Sequence, residues 1–195
     1  MTTDSSANIP TRTHKDYYTA LHQAAVTFSS SLELEPVLQS IAKSTAEAMQ
    51  VKACALRLLD PRTGQLQLGA FYGLSRGYLA KGPIEVERSP IDSEALRGAP
   101  VIIPDVSTDN RFQYQDAAKR EGLVSVLCVP LEVHGKAIGV MRVYTSEQTT
   151  FHEDDIQFMT VLASLAALAI ENASLYDSLK RSYDDVMDVL WGTTK

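Results

Sequence analysis

Along residues 124–144, VSVLCVPLEVHGKAIGVMRVY, two β-branched apolar runs meet at His134-Gly135. Glycine accepts the positive φ of a tight hairpin turn, so the pattern predicts two antiparallel strands. Neither run alternates cleanly between apolar and polar positions, and so neither strand has a solvated face. Both belong in the middle of a sheet covered on both sides. Pro130 has no N–H to give and is expected to close the first strand. Gly139 is expected to mark a bulge or a close backbone approach.

The rest of the chain must supply the two covers. Residues 1–13 are rich in Ser, Thr and Asn and are expected to be a disordered tail. From His14, apolar Tyr17, Leu21, Ala24 and Phe28 recur at steps of four and three, which predicts an amphipathic helix up to about residue 30. A second helix is expected around Pro36, with Val37, Leu38, Ile41, Thr45, Ala48 and Met49 as its buried stripe. Residues 51–72 read as a hairpin turning at Pro61-Arg62-Thr63-Gly64. Residues 73–122 differ: Gly and Pro punctuate them, their strand candidates (84–86, 101–103) are short, and their helical pieces (91–96, 115–121) are brief. Such stretches form lids and binding loops, so this one is the expected second cover.

Residues 152–190 predict one long helix, with Glu153, Asp154 and Asp155 in its first turn, where the helix dipole favours negative charge. Its first half, VLASLAALAI, is apolar almost all round and must be buried on two sides. A heptad seam runs through Val161, Leu165, Leu168, Asn172, Leu175, Leu179, Ser182, Val186 and Val189. The seam outlasts the core available to a domain of this size, which points to a homodimer. Tyr17, Leu21, Phe28, Leu168, Asn172, Leu175, Leu179 and Val186 are its candidate interface, and Asn172 would fix the register.

Composition narrows the function classes. The 195 residues carry a net charge of -6 and show no Lys/Arg cluster, which argues against nucleic acid. The longest apolar run, residues 161–170, falls short of the about 20 residues that cross a bilayer, so no membrane span is expected. The polar N-terminus has no signal pattern, and a cytoplasmic chain is expected. Cys54 and Cys128 make no disulfide framework. His14, His22, His134 and His152 sit on separate elements without ligand spacing, so neither a metal nor a cofactor is expected.

Several segments resemble a GAF domain: SSSLELEPVLQSIAKSTAEAMQVKACALRLLD, GLSRGYLAKG, VIIPDVSTDNRFQY, SVLCVPL, GKAIGVMRVYT and FHEDDIQFMTVLASLAALAIENASLY. The resemblance covers residues 28–178, and the number and order of the pieces carry it. It implies an α+β fold, a PAS-related central antiparallel sheet with terminal helices on one face and a small-molecule pocket under loops on the other. It also implies a regulatory module of a signalling protein, whose output part is either a separate protein or a further part of a larger chain. The expected organisation is a helix at 14–30, a GAF domain at 31–172 and a coiled-coil extension at 173–195. In the cyclic-nucleotide motif of phosphodiesterase GAF domains, Phe151 and Asp155 could fill the Phe and Asp places. Thr145-Ser146 stands where Asn-Lys belongs, so cyclic nucleotide binding is unsupported. Neither Cys precedes a His, which argues against a bilin. The rival readings are a redox enzyme of the free methionine sulfoxide reductase kind and a ligand-free dimerisation module.

No catalytic residue is expected. Arg57 and Arg142, however, each interrupt an apolar strand, and a buried guanidinium must be paired. Counting by twos, Arg57 shares a face with Ala53, Ala55 and Leu59, where small side chains leave room. Two explanations stay open: the arginines bind an anionic ligand, or they pair internally with Asp92, Asp105 or Asp109. Tyr72, Tyr78, Phe112 and Tyr114 could wall such a ligand, with Asp105 beside them.

Overall fold

The computed structural model describes residues 14–30 and 33–191; the expected tail at 1–13 lies outside the described residues. In chain order come α1 (His14–Ser30), α2 (Leu34–Ala48), β1 (Ala53–Asp60), β2 (Gln65–Tyr72), α3 (Arg76–Leu79) and β3 (Ile84–Glu85). A 3-10 turn (Val86–Arg88) follows, then α4 (Pro90–Ala95), β4 (Val101–Ile103), α5 (Gln115–Glu121), β5 (Val126–Val133), β6 (Lys136–Tyr144) and α6 (Glu153–Trp191). The strands form one antiparallel sheet in the order β3-β2-β1-β6-β5-β4, so the fold is α+β.

The central pair β5–β6 turns at His134 and Gly135, both with positive φ (49° and 75°), the geometry whose twist matches flanking strands. Strand periodicity then sorts β1 between two layers. Cys54 and Leu56 point into a core made with α1, α2 and α6, whereas Ala53 and Ala55 point into a second core made with the loop segment. All six residues of the expected α2 stripe are buried. The 73–122 segment supplies the second layer as expected, with α3 and the 3-10 turn as two further short elements.

Pro130 does not close β5 but lies inside it, opposite Val140. The reason is on the other flank: β4 pairs only with Val126 to Cys128, so β5 is an open edge at Pro130 and a missing N–H costs little. Tyr17, expected at a dimer interface, is used within the chain. Its ring stacks on Phe158 at 4.0 Å between centroids, and its hydroxyl donates to Asp155, which also accepts the His152 N–H (2.8 Å) at the start of α6. Asp155, the motif candidate, is thereby a helix cap and a tie to α1. By length and composition α6 could cross a membrane, although its longest unbroken apolar run is short. Phe158, Met159, Leu162, Ala163, Ala166 and Ala167 are nevertheless buried in the helix-side core.

Gly139 fits both expectations held for it. A register shift lies beside it at Leu131/Glu132, and a Cβ at Gly139 would stand 2.2 Å from the Arg57 carbonyl oxygen. Only glycine lets β6 approach β1 this closely. Gly139→Ala is therefore expected to push the two central strands apart and cost about 1–3 kcal/mol, read as a lower urea midpoint. An unchanged midpoint would show that the strands relax freely here.

Candidate functional site

The register across the sheet places the site. On the loop-side face Cys128, Arg142 and Ala55 form one row, Val126, Tyr144 and Ala53 form the next, and Arg57 follows Ala55 along β1. The two alanines are buried in the loop-side core, and Arg57, Arg142 and Tyr144 lie beside them on the same face, each 2% exposed or less. The cover contributes Tyr78 from α3, Lys81 just after it, Asp92 from α4, and Phe112 and Tyr114 from the approach to α5.

Charge decides how these groups arrange. Asp92 forms a fully buried ion pair with Arg142 and accepts a hydrogen bond from the Ser89 hydroxyl (2.6 Å). Burial works against the Arg142 cation, yet Asp92 beside it holds the guanidinium firmly charged. Phe112 closes over the same guanidinium, 5.7 Å from its ring centre. Lys81 Nζ lies 3.3 Å from the ring centre of Tyr78 and 5.1 Å from that of Tyr114, a cation-on-ring arrangement. Burial, and then the cations of Arg57 and Arg142, bring the Lys81 pKa down to about 6 against the pull of Asp92 and Glu121. Tyr78 meets Tyr144 edge to face at 6.2 Å, and burial pushes its phenol up.

The remaining acids are engaged elsewhere. Asp105 accepts from the Ser107 N–H (2.8 Å) and hydroxyl (2.6 Å), and Asp109 pairs with Arg111 at 2.7 Å. The hydroxyl of Ser107 holds the Asp105 carboxyl below the usual range. Of the three acids that could have paired internally with the arginines, one serves Arg142 and none serves Arg57. Among the described residues, Arg57 Nε, Lys81 Nζ, Arg142 Nε, Asp92 Oδ1 and the hydroxyls of Tyr78 and Tyr144 are all buried without a well-formed hydrogen bond, the two hydroxyls lying close to each other. Buried polar groups are otherwise hydrogen-bonded, so a concentration of this kind in one layer marks a place built for something polar.

Of the residues expected at a pocket, the structure brings together Arg57, Tyr78, Phe112, Tyr114 and Arg142. Asp105 stays in its own turn. Tyr72 is on the opposite face, where it packs against the helix-side core and its hydroxyl donates to Glu47 of α2 (3.4 Å). Lys81 and Tyr144 were not singled out from the sequence.

The family model of the GAF domain matches residues 33–170. The chain belongs to the GAF family. Among curated relatives, this GAF chain is 25% identical over 175 residues to a methyl sulfide methyltransferase-associated sensor of Methanosarcina acetivorans, covering 84% of this chain and 18% of the relative. It is 23% identical over 156 residues to a Nif-specific regulatory protein of Rhizobium etli, covering 77% of this chain and 26% of the relative. The chain thus spans about a quarter or less of these regulators, and the resemblance is to one part of each. Among solved structures, the GAF domain of a phosphoenolpyruvate-protein phosphotransferase from Coxiella burnetii superposes with a TM-score of 0.75. Identity there is 21%, with 84% of this chain and 98% of the other covered. A free methionine-R-sulfoxide reductase from Neisseria meningitidis, solved with its substrate, superposes with a TM-score of 0.70 at 22% identity, with 84% and 95% covered. These likenesses carry the fold. The relatives place GAF domains of this kind in sensor and regulatory proteins.

The two thiols of this GAF domain are both fully buried. Burial raises Cys54 far above the ordinary thiol range, only partly offset by a hydrogen bond with Thr45, and pushes Cys128 up to about 12. A thiol held protonated is neither nucleophile nor metal ligand.

The pairing makes opposite predictions for two substitutions. Asp92→Asn strands the Arg142 charge and is expected to cost about 3–5 kcal/mol, a clear fall in melting temperature. Arg57→Met removes a cation that no nearby acid neutralises and is expected to leave the melting temperature unchanged or raised. An equal fall for Arg57→Met would show that Arg57 is held by an internal partner.

Proposed function

We propose that this GAF domain is a non-catalytic sensing module, which binds a small molecule between the sheet and the 73–122 cover. The carrying observation is the set of buried polar atoms of Arg57, Tyr78, Lys81 and Tyr144 that make no well-formed hydrogen bond among the described residues. Its relatives' occurrence in a sensor and in a regulator supports the reading. The redox-enzyme alternative draws on the likeness to the sulfoxide reductase, but the buried, protonated state of both cysteines opposes it. Native mass spectrometry of freshly purified protein tests the reading against a ligand-free dimerisation module. A stoichiometric co-purified small molecule is expected, and a bare chain that also binds nothing from a metabolite extract contradicts it.

The second half of the proposal is that α1 and α6 form a homodimer and that α6 passes ligand state on to an output partner. Its support is the heptad seam. Val161, Leu168, Leu175, Leu179 and Val186 are exposed along one helix, Leu175 at 63% and Leu179 at 70%. Apolar rows of this spacing are ordinarily covered by another helix. Leu21 and Phe28 of α1 pack partly on the core beside α6, leaving part of their surface for the same interface. A groove lined by Glu33, Glu35, Pro36, Ala173, Tyr176 and Asp177 opens where α6 leaves the body. Its acidic lining, on the helix side, suits no anion and separates it from the buried cations. Light scattering is expected to give a dimer for the parent chain at micromolar concentration. Leu175→Asp combined with Leu179→Asp should give a folded monomer. A monomeric parent rules the dimer out.

A further inference from the structure

The loop-side layer holds more positive than negative charge, and the excess is localised. Arg57 comes from β1, Lys81 from the turn after α3, and Arg142 from β6; the one carboxylate buried with them is Asp92 of α4. Because Asp92 is already committed to Arg142, Arg57 is left uncompensated, and Lys81 stands beside it. Arg57 Nε and Lys81 Nζ are both buried donors without an acceptor. The surroundings offer donors too: the buried hydroxyls of Tyr78 and Tyr144 lie close to each other and make no well-formed hydrogen bond among the described residues. Aromatic faces from Tyr78 and Tyr114 flank Lys81 Nζ, and Phe112 lies over Arg142. A neutral ligand would leave the buried Arg57 cation without counter-charge and the Lys81 amine beside it without an acceptor, which is the costly state.

From this balance we propose that the site binds a compact dianion, a small dicarboxylate or a phosphate, between Arg57 and Lys81, with Tyr78 and Tyr144 donating to its oxygens. The inference rests on the sensor reading and narrows it to a ligand class. Arg57 supplies the planar fork that fits two oxygens, and Lys81 supplies a point charge from the cover. Lys81 therefore ties the bound anion to the segment that encloses it. The groups facing Lys81 are Arg57 and Arg142 from the sheet, Asp92 from α4, Glu121 from α5, and Tyr78 and Tyr114. With its pKa near 6, Lys81 is largely neutral at neutral pH, and a dianion beside it favours the charged form. Binding at neutral pH then takes up a proton.

Isothermal titration of the full chain with succinate and with inorganic phosphate, each in two buffers of different ionisation enthalpy, tests this. Acetate and a neutral diamide serve as controls. The expected result is saturable binding of one dianion in the millimolar range or tighter, with buffer-dependent heat that reports proton uptake. Arg57→Met should abolish it. Lys81→Met should weaken it by roughly tenfold or more, since a charge-assisted contact is lost. Lys81→Arg keeps the charge but does not titrate, so binding should survive with heat that no longer depends on buffer. Preference between succinate and phosphate identifies the source of the dianion. Lack of saturable binding by either dianion overturns the proposal, as does equal affinity in a folded Lys81→Met variant. A neutral molecule co-purifying with the protein leaves the sensor reading standing and overturns the dianion.

Discussion

The ion pair between Arg142 and Asp92 joins the sheet to its loop cover, and the rest of the site depends on it. Arg142 stands mid-strand on β6, and Asp92 stands on a six-residue helix whose other ion pair, Glu94 with Arg111, is exposed. A short helix of this kind is marginal alone and is stabilised by its packing. Ile91 and Ala95 bury beside Asp92 and add apolar contact, while Ser89 holds the carboxylate from the preceding turn. With Asp92 spent on Arg142, Arg57 keeps its charge without a counter-charge, and Lys81 beside it is pushed towards its neutral form. The same pair that fastens the cover thus creates the electrostatic demand beneath it.

The two faces of the sheet divide the labour. On the helix side the residues are apolar and close-packed, and Tyr17, Phe158 and Asp155 knit α1 to the start of α6. That side is suited to rigidity. On the loop side short elements are pinned at a few points: Glu121 accepts from the Ser75 N–H (2.7 Å), Tyr114 donates to the Pro83 carbonyl (3.0 Å), and Lys52 donates to the end of α5. Apolar side chains of the same segment, among them Tyr78, Ile91, Ile103, Val106 and Phe112, bury against the sheet. The two sides meet at β1 and β6, whose residues alternate between them.

Much of this was legible in the sequence wherever a period exists to be read. The α2 stripe, both hairpins, the long helix and the sorting of Arg57 from Cys54 and Leu56 follow from periods of 3.6 and 2. What failed did so for local reasons. Tyr72 was expected over the pocket, but a bulge places Gly69 as an extra residue in β2, so Ala70 and Tyr72 lie opposite Leu56 and Cys54 on the helix face. A single inserted residue reverses the face of everything beyond it. Pro130 misled because the shortness of β4 is a tertiary fact. Lys81, in the turn-like stretch Ala80-Lys81-Gly82-Pro83, reads as a solvated lysine. Its burial arises only when Tyr78 and Tyr114 fold around it. The heptad seam was visible from the start, and the structure leaves it exposed on one helix.

The central claim is that an excess of buried positive charge beneath the cover is a binding site. Selenate is a dianion of phosphate-like size that scatters anomalously, so a crystal soaked in it locates the charge directly. The account predicts an anomalous peak within hydrogen-bonding distance of the Arg57 guanidinium and Lys81 Nζ, present in the parent and gone in Arg57→Met. Peaks confined to surface lysines and arginines, with none beneath the cover, would contradict it.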